Sequence, residues 1–201
     1  GIVVAPGVYE ENVVIETPDL SIRSAEGPGK TTLKPPNPDS HGFSVLTLRS
    51  DNVSVSGFSF RGSKNRGDGI LVKNSENCDL YNNVCENNYI GINVKSSSDI
   101  DLYSNRCGAN QFINIVIRHS DSIEISRNSF APLEGEIMAK PSEEFKHGVW
   151  LVGSTNITIT GNRFENCGLE LIGEKPGHYD SHLIENNLVN GRPIYYAVSE
   201  T

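Results

Sequence analysis

The chain has 201 residues and carries 17 Lys and Arg against 25 Asp and Glu, a formal net charge of −8. That balance argues against nucleic acid as a partner, and no apolar run reaches the length of a membrane span, so no direct membrane insertion is expected. Nineteen Gly with one Met and one Trp fit a protein of strands and turns.

The opening segment, GIVVAPGVYEENVVI at 1–15, starts inside a strand pattern and predicts a piece of a longer protein. VLTLRSDNVSVSGFSF at 45–60 is then the first, degenerate copy of a unit that recurs. Clearer copies are GILVKNSENCDLYNNVC (69–85), GINVKSSSDIDLYSNRC (91–107), NIVIRHSDSIEISRNSF (114–130) and GVWLVGSTNITITGNRF (148–164), with a remnant in LIENNLV at 183–189. Self-similarity at this period marks a stacked-repeat architecture. Within each copy two short runs alternate apolar and polar, as in Ile70-Leu71-Val72-Lys73 and Cys78-Asp79-Leu80-Tyr81, which is strand periodicity. No segment keeps a helical period, so almost no helix is expected.

Asn83, Asn105, Asn128, Asn162 and Asn187 hold one turn position, and Phe58 holds it in the first copy. Stacked Asn side chains can hydrogen-bond along a solenoid axis. The fold predicted is an all-β, right-handed parallel β-helix of roughly 22-residue coils, as one domain over 1–201. The wide gap between Asn128 and Asn162 places an insertion at 131–147, read as a loop on the binding face. Ile70/Ile92/Ile115/Val149, Val72/Val94/Ile117/Leu151 and Cys78/Ile100/Ile123/Ile157 are the predicted core columns. Cys85 and Cys107 share a column with Phe60, Phe130 and Phe164 and are read as small buried hydrophobes; a disulfide between them is possible but strained. The C-terminal NGRPIYYAVSET carries no polar cap. Flanking domains, further coils or other copies of the chain are therefore expected against the end coils.

These residues resemble a family. The repeats look like those of NosD-like proteins, pectate-lyase-like enzymes and bacterial and archaeal surface proteins. VVAPGVYEENVVI resembles their "PGxYxENVxI" opening, and NNLVNGRPIYYAV resembles their "NxxNGKPIYY" segment. The resemblance implies an extracytoplasmic location (secreted, periplasmic or cell surface) and carbohydrate as ligand or substrate. For the NosD branch it also implies copper handling.

Sites in such a stack are read down columns. Arg49, Lys73, Lys95 and Arg118 form one outward column, ended by Val152. Either these side chains splay into water toward the Asp79/Asp101/Glu124 column, or they form a cationic rail for a polysaccharide bearing carboxylates or sulfates. Beside them run Leu71, Asn93, Val116 and Trp150. Trp150 is read either as a sugar-stacking ring or as covered by the insertion. The ligand-binding candidates are thus Arg49, Lys73, Lys95, Arg118, Asn93 and Trp150. Asp68 and His147 share one position at the head of the first strand, with Arg66 close by in sequence; these are candidates for a lyase or epimerase, which needs a base, an acid and cations against a carboxylate. The residue sets of polygalacturonases and alginate epimerases are missing. His178, Asp180 and His182 are weak metal candidates, and no cofactor is expected. Asn52-Val-Ser and Asn156-Ile-Thr are glycosylation sequons. The reading is a polysaccharide-binding surface domain. Its alternatives are a lyase or epimerase, a structural module stacking end to end, and NosD-like copper handling.

Overall fold

Three sheets run the length of the molecule. A computed structural model describes residues 1–38, 41–131 and 147–197; the insertion predicted at 131–147 falls, apart from its two end residues, outside them. Sheet I has seven strands: Val13–Ile15, Leu46–Leu48, Asp68–Lys73, Ile90–Lys95, Ile113–Arg118, His147–Val152 and Gly168–Ile172. Sheet II has eight, among them Ser54–Ser56, Glu76–Tyr81, Ser98–Tyr103, Asp121–Ser126 and Thr155–Thr160. Sheet III has nine shorter ones, including Ser59–Arg61, Val84–Glu86, Arg106–Gly108, Ser129–Phe130 and Arg163–Phe164. The chain visits the sheets in rotation, and each strand pairs in parallel with its counterpart one coil away. Among the described residues only Arg192–Pro193 folds back antiparallel. This is a right-handed parallel β-helix. Among the described residues the single helix is the four-residue Gly177–Asp180.

Alternation puts one side of every strand inside the coil, and stacking makes each inward position a column. Ile70 faces Ile92, Ile92 faces Ile115, and Ile115 faces Val149; all four are fully buried. The columns led by Val72 and Cys78 follow the same rule. Each aliphatic side chain withdrawn from water contributes roughly 1.5–3 kcal/mol before chain entropy is counted. On sheet III, Cys85 lies between Phe60 and Cys107, and Phe130 pairs with Phe164. Both cysteines are fully buried free thiols. Burial, with Cys107 next to it, holds the Cys85 thiol well above its usual range.

The corners carry the register. Where the chain leaves sheet II, its backbone leaves the ladder and needs other partners. Asn128 supplies them: its Nδ2 donates to the carbonyl of Leu102 at 2.8 Å, and its Oδ1 accepts from the amide of Asn105 at 2.8 Å. Asn83, Asn105, Asn162 and Asn187 each repeat this two-point clamp on the preceding coil. The expected contact between Asn side chains is present at Asn105, Asn128 and Asn162, at 2.9–3.2 Å to the next Asn, but it is the lesser part. The residue before each Asn sits at positive φ, as Asn82, Ser104 and Arg127 do, and turns the corner. Two further ladders close the other corners. The amides of Ser75, Ser97 and Ser120 donate to the hydroxyls of Ser97, Ser120 and Ser154 on the following coils. Asn88 and Asn110 clamp the corner between sheets III and I.

Replacing Asn128 with Ala strands a buried carbonyl and a buried amide. The expected loss is about 3 kcal/mol, read as a lower urea midpoint at unchanged slope.

Candidate functional site

The outer face of sheet I begins with a pinch. A Cβ on Gly69 would lie 2.7 Å from Asn88 Nδ2 and 2.7 Å from the carbonyl of Gly91; one on Gly91 would lie 2.4 Å from the carbonyl of Asn114. Only Gly lets adjacent coils approach so closely here. Simple alternation would aim the residues before the pinch, Ile90 and Ile113, into the main core. They instead form a separate cluster with Val116, packed by Tyr89, Trp150 and Val152. The outer face of sheet I therefore has its own small apolar layer.

Asp68 heads this face and is 7% exposed. Its Oδ2 accepts from Ser44 Oγ and from Asn93 Nδ2, both at 3.2 Å. Desolvation pushes its carboxyl up to about 6, against the opposing pull of those two hydrogen bonds and of Arg118. Asn93 is buried, and its Oδ1 has no partner among the described residues. Trp150 is half-buried. Its ring stacks on His147 at 5.7 Å, meets Phe112 edge-on at 5.9 Å and lies 5.9 Å from the Arg118 guanidinium carbon. Its buried Nε1 has no partner among the described residues. His147 Nδ1 lies 2.9 Å from Glu170 Oε2, on the next coil.

The four cations share one ladder. Lys73 faces Lys95, Lys95 faces Arg118, and Arg118 faces Val152. Arg49 extends the ladder from the strand Leu46–Leu48, which pairs with Asp68–Lys73. All four are exposed or half-exposed. Among the described residues none lies within ion-pair distance of a carboxylate. Asp79, Asp101 and Glu124 form their own ladder on sheet II.

Asp68 and His147 occupy the same position but stand three coils apart, about 14 Å at strand spacing. They cannot flank one bond. Arg66 is exposed in the loop before Asp68. His178 and Asp180 lie in the short helix and His182 just after it. His178 Nδ1 accepts from the amide of Glu174 at 3.1 Å. His182 Nδ1 accepts from the amide of Ile157 at 3.2 Å, which leaves its Nε2 proton for the carbonyl of His178 at 3.0 Å. Burial lowers the pKa of His182. Ser44, Tyr89, Phe112 and Glu170 join the face without having been singled out in the sequence. Glu170 does stand one coil beyond Trp150 in the same column, but its coil has lost the repeat pattern.

Residues 33–200 match the family described as periplasmic copper-binding protein (NosD). The chain belongs to the NosD family. No curated protein sequence matches it. Among solved structures, a pectin methylesterase in complex with a hexasaccharide superposes with a TM-score of 0.57 at 11% identity, covering 90% of this chain and 59% of that one. The pectin methylesterase of Yersinia enterocolitica gives 0.56 at 12% identity, covering 96% and 86%. The alginate lyase of Paenibacillus sp. str. FPU-7 gives 0.53 at 17% identity, covering 94% and 68%. The chain thus spans 59% of the length of the first of these, and identities this low carry the fold alone.

Copper, named in the family's description, finds no fitting donors among the described residues. No three His, Cys, Asp or Glu side chains converge there. His178 and His182 have their Nδ1 lone pairs committed to backbone amides, and Cys78, Cys85 and Cys107 are buried in the core.

The Asp68 carboxyl is raised above its unfolded value, so it favours the folded state below about pH 4 and loses that contribution as pH climbs through about 6. The wild type should lose up to about 3 kcal/mol over this window. Asp68→Asn, whose amide oxygen can accept both hydrogen bonds, should flatten the pH profile of the urea midpoint.

Proposed function

We propose that this NosD-family chain binds an anionic polysaccharide along the outer face of sheet I, outside the cytoplasm. The observation that carries the reading is the ladder of Arg49, Lys73, Lys95 and Arg118, none of which is ion-paired among the described residues. Like charges stacked in register repel by tenths of a kcal/mol or more per pair. An anionic polymer lying along the helix axis relieves that repulsion, meeting one cation about every 4.8 Å. Arg118 is also held against Trp150, which fixes its guanidinium for a carboxylate. The proteins sharing the fold are named for pectin and alginate, both uronate polymers. The family is described as periplasmic, and no helix among the described residues is long and apolar enough to cross a membrane.

In native gels containing polygalacturonate or alginate, the protein should be retarded, and added salt should abolish the effect. Dextran, which is neutral, should cause no retardation. Lys95→Ala combined with Arg118→Ala should weaken binding about tenfold. Binding indifferent to salt and to this double change would remove the reading.

A second reading, elimination on the same polymer, is favoured by one contact. Glu170 holds the Nδ1 proton of His147, which leaves the Nε2 lone pair for a substrate proton. In a uronate, His147 would take the proton on C5, the freed electron pair would form the C4–C5 double bond, and the C4–oxygen bond would break. The leaving oxygen would take a proton from water. Unsaturated product should appear by ultraviolet absorbance, and His147→Ala should slow it by about a hundredfold or more. A flat trace with both polymers leaves binding alone.

A further inference from the structure

Each of three successive coils places a cation on sheet I and an anion on sheet II, always six residues later: Lys73 and Asp79, Lys95 and Asp101, Arg118 and Glu124. Both sets are in register. Lys73, Lys95 and Arg118 face one another in turn, and so do Asp79, Asp101 and Glu124. The two ladders therefore have the same pitch and the same number of rungs, because the same coils make them. Within the molecule they stay apart: among the described residues neither ladder forms an ion pair with the other. Asp101 shows the unrelieved strain of its row; after its partial burial, Glu124, Asp79 and Asp99 are what raise its pKa.

Beside the acids, one column along, stands an aromatic pair. Tyr81 and Tyr103 stack with ring centroids 4.9 Å apart and planes 1° apart. Both are half-exposed, and small residues, Ser56 and Ser126, flank the pair in its column. Sheet II thus offers a row of carboxylates edged by two rings. Long cationic side chains suit such a surface, with the head group on the carboxylate and the stem or guanidinium against the ring.

We infer that the acidic face of sheet II docks onto the basic face of sheet I of a second copy of this chain. Matched pitch lets three pairs form together, where a single exposed pair would hold little. The contact uses different patches on the two partners, so each copy keeps one face free and the assembly grows sideways into an open row unless the rotation closes a ring. This lateral contact is distinct from stacking through the end coils, and it does not depend on polysaccharide binding.

Sedimentation velocity on the chain tests it. At about 20 mM salt the weight-average sedimentation coefficient should rise with protein concentration. At about 0.5 M salt, where screening reaches only a few ångströms, it should fall to the monomer value. Lys73→Glu with Lys95→Glu leaves two acidic faces, and Asp79→Lys with Asp101→Lys leaves two basic ones. Each double variant should be monomeric alone, and an equal mixture of the two should associate. Circular dichroism checks folding. If a reversal unfolds the chain, Lys73→Gln with Lys95→Gln and Asp79→Asn with Asp101→Asn replace it, and each should weaken association at least about tenfold. A wild type that stays monomeric at low salt, or a mixture that stays monomeric, overturns the inference. So does association that survives high salt and both reversals, which would place the contact on surfaces other than these two faces.

Discussion

The molecule depends on how its corners are satisfied. Three corners per coil take the backbone out of the sheet ladders, and the peptide groups there are buried. Each is answered by a polar side chain from a neighbouring coil: the Asn83 series after sheet II, Asn88 and Asn110 before sheet I, and the Ser75 series between sheets I and II. Apolar columns alone would tolerate sliding, since Ile, Val and Leu exchange places at small cost. An Asn amide that binds one carbonyl and one amide does not slide, because a shift of one residue breaks both bonds and strands buried groups. Register follows from these ladders, and every face of the solenoid follows from register.

Much of this is visible in the sequence for the same reason. The Asn at a fixed offset from two alternating runs recurs from Asn83 to Asn187, and it aligned the columns that the structure pairs, from Ile70/Ile92/Ile115/Val149 to Lys73/Lys95/Arg118. What alternation concealed was the backbone pinch at Gly69 and Gly91. Strict period two would send Ile90 and Ile113 into the main core, whereas the pinch gives them to an outer apolar layer with Val116 and Trp150. Asn93 is buried and bonds Asp68, a contact across coils that linear spacing does not display. The backbone amides that take the Nδ1 lone pairs of His178 and His182 are likewise invisible in linear spacing. Glu170 and Ser44 were hidden differently: each belongs to a coil whose repeat has decayed, so no column pointed to it.

Repetition also sorts charge. A mutation in one unit affects one rung, but a repeated unit writes the same sign down a whole sheet. The chain carries an excess of acid overall, yet sheet I presents its exposed cations in one line while the carboxylates of the same coils stand in another. The buried Asp68 sits at the head of the basic face with Arg118 among the groups that bear on its proton. Net charge describes none of this. The local fields of such a protein belong to its sheets.

The Asn clamps all point one way. Each side chain reaches back to the coil before it, and the amide of each clamp residue waits for the coil after it. A chain emerging from its N-terminus would close in that same sense, as a ratchet, with every arriving coil completing its predecessor and leaving one dangling amide at the growing tip. Lengthening by a whole coil moves that loose end without creating another, which makes duplication of coils the gentlest route to a longer protein.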